Sequence, residues 1–159
     1  MYKKIAREKI SPWLARLSGE AEVLAPAGEN GNWAFAKGGN PDLPGAYRNC
    51  RLSAKGMFLE EMKLLFEWRP SDQGPHPVDP LAGPEMPRVI FGLRACDARA
   101  IRLLEPVFSE NGADAFYLGN LRRTLLVGQA CETRCRGSFC REMGIDPQDS
   151  PDCDLFFRE

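Results

Sequence analysis

The stretch QACETRCRGSFCREMG, residues 129–144, carries Cys131, Cys135 and Cys140 in a C-x3-C-x4-C spacing. They are half of six cysteines in the chain, the others being Cys50, Cys96 and Cys153. Thiolates are soft ligands, suited to zinc and to iron–sulfur centres. A run of three thiols among arginines therefore raises the question of a fourth partner.

The elements around the run supply a candidate. RVIFGL, residues 88–93, is a continuous apolar run with β-branched residues and predicts a buried parallel strand. TLLVGQA, residues 124–130, predicts another. Between them, DARAIRLLEPVF has helix signals: Asp97 in the first turn, and Ala100, Ile101, Leu104 and Phe108 on one face. Pro106 is expected to bend or end that helix. DAFYLGNLRR predicts a second, shorter helix. Strand, helices, strand is a βαβ unit, and its sheet is parallel. Both strands then end on the same side, where ligand sites of open α/β sheets lie. Cys96 follows the first strand at a helix start, and Cys131 follows the second directly. The topology brings Cys96 toward Cys131, Cys135 and Cys140.

Four such thiols suit an iron–sulfur cluster or zinc. Structural zinc sites commonly use tight C-x2-4-C pairs, whereas here Cys96 is isolated. Arg94, Arg134, Arg136 and Arg141 surround the ligands and can balance the negative charge of a [4Fe–4S] centre. Backbone N–H groups at a helix start can hydrogen-bond sulfur. These features favour the cluster, and zinc stays open. A thiol redox role for Cys131 and Cys135 ranks last, because C-x3-C departs from the C-x-x-C of thioredoxin-like enzymes.

The remaining sequence narrows the setting. With 21 basic and 22 acidic residues among 159, the net charge of -1 argues against binding driven by nucleic-acid phosphates. No apolar run approaches a membrane span. The basic N-terminus lacks the apolar core and cleavage site of a secretory signal. A cytoplasmic location is expected, where clustered cysteines bind metal or do redox work more often than they form disulfides. A first helix is predicted with Ser11 as cap, Pro12 in its first turn and Gly19 at its end. EVLAPA and NWAFAK, separated by GENG, predict a hairpin. Residues 38–56 read as loop, MKLLFEW (62–68) as strand, and the six-proline stretch 70–87 as a surface loop without regular structure.

VIFGLRACDARAIRLLEPVF, with DAFYLGNLRRTLLVGQACETRC and the following FC, resembles the N-terminal domain of a family of iron–sulfur electron-transfer subunits. That family includes the beta subunit of soluble nickel–iron hydrogenases and the corresponding subunit of anaerobic sulfite reductase. Its pattern is Gly-x-Arg-Pro-Cys-Asp, an apolar helix, a Tyr, and a Leu-rich strand ending Ala-Cys. The matching residues are Gly92, Arg94, Cys96, Asp97, Tyr117, Ala130 and Cys131. LSAKGMFLEEMKLLFEW faintly resembles the family segment that follows a Ser-x-Lys. The likeness covers roughly residues 50–145. Ala95 stands where the family has Pro, and Ser138 where relatives often have cysteine. Larger members continue into a two-cluster ferredoxin domain. No such cysteine runs occur in these 159 residues, so one α/β domain without it is expected.

The simpler reading stands for the other residues. Cys50 and Cys153 read as structural thiols and His76 as a solvated loop residue. Trp13, Trp33, Phe35 and Trp68 read as core, Asp97 as a helix-start carboxylate, and Arg122 and Arg123 as surface charges. No acid, base or nucleophile set and no phosphate loop is present. The expectation is an α/β domain with a small, mostly parallel sheet, flanking helices and N-terminal hairpin strands. Its cluster loop lies at the strand ends, and Cys96, Cys131, Cys135 and Cys140 ligate one [4Fe–4S] cluster. It would relay electrons among other subunits of an oxidoreductase complex, or to a ferredoxin-like domain. The alternative is a zinc-stabilised module docking onto such a complex.

Overall fold

The computed structural model describes residues 3–29, 32–38, 47–59, 62, 64–67, 74–77, 86–110 and 112–158. Its helices are α1 (Ile10–Leu17), α2 (Ala95–Arg102), α3 (Glu105–Ser109) and α4 (Ala115–Arg122). Its strands are β1 (Glu22–Glu29), β2 (Asn32–Lys37), β3 (Phe66–Glu67), β4 (His76–Pro77), β5 (Arg88–Leu93), β6 (Thr124–Gln129) and β7 (Leu155–Phe157). Five strands form one sheet in the order β2-β1-β5-β6-β7, with only β1–β2 antiparallel. The expected mostly parallel α/β sheet is present, with helices on both faces.

The two predicted buried strands lie at its centre because their side chains serve both faces. Val89, Phe91 and Val127 face one core with Leu14 of α1. Ile90, Leu93 and Leu126 face the other, with Ile101 of α2 and Tyr117 and Leu121 of α4. Strict alternation would put Leu93 on the Phe91 side. The β5–β6 register shifts between Phe91 and Leu93, where Gly92 has φ 83°. That irregularity turns Leu93 back to the face of Ile90. The β1–β2 hairpin also forms, although Pro26 lies in β1, between two neighbouring strands. It is tolerated because β1 pairs with β5 only over Glu22–Leu24, short of the proline.

Several details differ from the sequence reading. Ser11 does not cap α1, since a 3-10 turn at Arg7–Lys9 runs into a helix that starts at Ile10. Ser18 ends it, donating its hydroxyl to the Leu14 carbonyl at 3.0 Å. The helix after β5 starts at Ala95, so Cys96 lies within its first turn. Pro106 falls at the start of α3, where its missing N–H costs nothing, and the helix breaks before it. Within residues 38–56, Ala54–Met57 is a 3-10 turn. The extended reading of 62–68 is reduced to β3, which pairs with β4 inside the proline-rich stretch. That stretch therefore carries a short strand, contrary to expectation. His76 is exposed, and Trp68 lies outside the described residues. Strand β7 was not anticipated, because three residues show no period.

Candidate functional site: the thiol edge of the sheet

The register of β5 and β6 places the two predicted ligand loops. Leu93 is paired with Gly128 in parallel, and Cys96 and Cys131 each lie three residues beyond that pair. They occupy the same carboxyl edge of the sheet.

From Cys131 the chain crosses to β7 without a helix, through turns over residues 130–154. Its backbone is fixed locally. The Ser138 N–H donates to the Cys135 carbonyl at 3.1 Å, with Gly137 at φ 74°. This is the third turn position of type II geometry, which favours glycine. The next turn closes with Ile145 N–H donating to the Cys140 carbonyl and Gly144 N–H to the Arg141 carbonyl, at 2.7 and 3.1 Å. With Gly144 at φ 65° this is the Schellman pattern. Cys131 is held by its own N–H donating to the Pro147 carbonyl at 2.9 Å, and by the Gln148 amide donating to the Cys131 carbonyl. Each of the three cysteines thus has its carbonyl engaged. A cleft of about 190 Å³, lined in part by Arg134, Cys140, Arg141 and Pro147, opens beside Cys140.

All six cysteines are unpaired thiols, and Cys96, Cys131, Cys135 and Cys140 are each partly buried. Burial pushes the Cys96 thiol up to about 11; Asp97 and the thiols of Cys140 and Cys131 add to the rise, and the Asp97 N–H opposes it. Burial also raises Cys131; Arg94 opposes the rise, and Cys135 and Cys140 add to it. Neighbouring thiols thus make the ionisation of Cys96 and of Cys131 harder. A cationic centre that binds thiolates would relieve this opposition. The donor set therefore fits a soft metal or cluster in its chemistry. Among the described residues, no three His, Cys, Asp or Glu side chains are gathered closely enough to hold a metal ion.

The other sequence candidates fall into place around this edge. Arg134, Arg136 and Arg141 are exposed on the loop, whereas Arg94 is 5% exposed and stacks over the Tyr47 ring, its Cζ 4.4 Å from the centroid. Arg94 is thus buried, unlike the other three arginines expected to balance charge. Asp97 is also buried. Its Oδ1 accepts from the Ser53 hydroxyl at 2.9 Å and its Oδ2 has no partner. Burial raises its carboxyl, and Ser53, Lys55 and Arg94 oppose the rise. Ser53 and Lys55 belong to the Ser-x-Lys that the sequence singles out, so that weak likeness marks a contact with the residue after Cys96.

Cys50 is buried beside Tyr47, its sulfur 3.8 Å from the tyrosine hydroxyl. Cys153 sits close to Gly128 of β6. Trp13, Trp33 and Phe35 pack in the core around α1, and Arg122 and Arg123 are exposed. The residue missed from sequence is Tyr47, which lies in a stretch without periodicity.

An α/β domain whose two central parallel strands lead into cysteine-bearing segments at one sheet edge is the class that this fold and site define. The chain is similar to sulfhydrogenase 2 subunit beta of Pyrococcus furiosus, with 25% identity over 148 residues. The match takes in 91% of this chain and 42% of that protein, so the chain spans less than half of the relative's length. No family model matches, and no solved structure matches. Among the described residues, no helix is long and apolar enough to cross a membrane.

Proposed function

We propose that this chain is an electron-transfer domain of a multi-subunit oxidoreductase, holding one [4Fe–4S] cluster through Cys96, Cys131, Cys135 and Cys140. The observation that carries the reading is the equal offset of Cys96 and Cys131 from the Leu93–Gly128 pair. When bound, such a cluster accepts and donates single electrons. The chain's own part is to bring four sulfurs to one sheet edge, screen them partly from water, and leave the cleft beside Cys140 open. The Asp97 backbone opposes the rise of the Cys96 thiol and so favours the thiolate form that ligation needs. The similarity to a sulfhydrogenase beta subunit supports partners that are other subunits of such a complex, and the reading places it in the cytoplasm. Residues 1–159 then act as one α/β domain.

Protein purified without oxygen should carry roughly four irons and four sulfides per chain. Cys96→Ala should lose the four-iron content, whereas Cys50→Ser and Cys153→Ser should keep it. Stoichiometric zinc without inorganic sulfide would replace this reading with the zinc-stabilised module.

A further inference from the structure

Arg94 is the one arginine buried among the described residues, and its position explains more than charge balance. The β5–β6 ladder ends at Leu93↔Gly128, so beyond that pair no backbone bonds join the two ligand-bearing ends. The Arg94 guanidinium takes over there. Its Nη1 donates to the Gln129 and Ala130 carbonyls at 3.1 and 2.6 Å. Its Nη2 donates to the Tyr47 carbonyl at 2.7 Å, and its Nε to the Arg48 carbonyl at 2.8 Å. Ala130 immediately precedes Cys131, and Arg94 is itself two residues before Cys96. The stacked Tyr47 is fixed in turn, its hydroxyl donating to the Gly92 carbonyl at 3.0 Å.

We infer that Arg94, backed by Tyr47, is a positioning residue that sets the separation of the Cys96 and Cys131 loops and so the geometry of the thiol site. The inference rests on the proposed ligand role of those cysteines. Only a guanidinium does this work, because its planar fork reaches carbonyls on two sides at once. A lysine ammonium keeps the charge but presents its donors from a single point.

The test uses cobalt(II), a thiophilic ion whose thiolate absorption reports sulfur ligation, added anaerobically to the reduced, metal-free chain. Three proteins are compared: wild type, Arg94→Lys, and Arg88→Lys. Arg88 lies at the opposite end of β5, donating to Glu22 and to the Met57 carbonyl at 3.0 and 3.2 Å, so its variant reports general loosening of the sheet. Arg94→Lys should bind cobalt roughly 10- to 100-fold more weakly than wild type, the usual effect of losing a group that orients ligands. Arg88→Lys should bind as wild type does. Equal binding by Arg94→Lys and wild type, or equal weakening by both variants, would overturn the inference. Absence of a thiolate band in the wild type would instead sink the ligand assignment beneath it. Should Arg94→Lys fail to fold, Tyr47→Leu decides, since it removes the stacking face and keeps the arginine. Weakening of several fold supports the positioning role, and unchanged affinity refutes it.

Discussion

Strands β5 and β6 are parallel neighbours, and so are β6 and β7, but the two crossovers that join them are built differently. The first is helical. It runs through α2, α3 and α4 and buries Ile101, Tyr117 and Leu121 against the sheet. Tyr117 closes it, donating its hydroxyl to the Ile101 carbonyl at 2.8 Å and stacking on Phe108 at 4.4 Å. The second, residues 130–154, is a chain of turns. Its two largest apolar residues point outward, Phe139 being 74% and Met143 60% exposed. It is tied to the sheet and to α2 at its C-terminal end, where the Asp154 carboxylate accepts the Leu126 N–H at 2.7 Å and Arg102 donates to the Asp152 carbonyl at 3.2 Å. A crossover that buries its own apolar face is held by solvent exclusion. One without such a face needs another source of order, and the second crossover contains three of the four proposed ligands.

The most severe way to break this comparison is to remove whatever the thiols hold. Chelation under reducing conditions should leave the helical crossover protected and open the turn crossover. Amide exchange over residues 130–154 should accelerate by on the order of 100-fold, with little change over 95–122, because a ligand bound only to the folded state stabilises what it touches. Uniform acceleration across both segments would mean that the two crossovers fold as one unit.

Truncating one apolar side chain in each crossover sharpens the contrast. Ile101 is fully buried, and Ile101→Ala should cost about 2–5 kcal/mol in denaturant unfolding. Phe139→Ala removes a larger side chain from the exposed loop and should change stability by less than about 0.5 kcal/mol. A comparable loss from Phe139→Ala would show that the loop has a packed face after all.

The same contrast governs what was legible in the sequence. Where apolar side chains specify structure, the pattern was readable: RVIFGL and TLLVGQ became the central strands, and the helix after β5 broke ahead of Pro106. Where polar contacts between distant segments specify it, the pattern was silent. Strand β7 is placed by Asp154 reaching back to Leu126, and no local signal in DLFF carries that. The edge cysteines could be grouped because a βαβ unit dictates which strand ends meet. The buried state of Arg94 and Asp97 was not accessible that way. Each depends on residues more than forty positions upstream, Tyr47 and Arg48 for one and Ser53 for the other.

The smallest effect concerns Cys153, at the point where the turn crossover finally meets the sheet. A Cβ on Gly128 would lie 2.6 Å from the Cys153 sulfur, so the thiol packs where β6 leaves room for it. Burial pushes this thiol up to about 11, Asp154 and Asp152 add to the rise, and Ser150 opposes it. An unfolded cysteine ionises near 8.5. Between those values the folded chain keeps a proton that the unfolded chain releases. The contribution of the thiol is therefore fully present below about pH 8.5 and disappears as pH rises through about 11. Cys153→Ala removes this titration and leaves that of Cys96 in place, so the difference between the two proteins isolates one group. Unfolding free energies of the metal-free proteins, measured at intervals from pH 7 upward, should fall less steeply for the variant. The difference should be modest, because the thiol is only partly buried. Parallel curves would mean that Cys153 is hydrated, and that the second crossover reaches β7 without packing against β6.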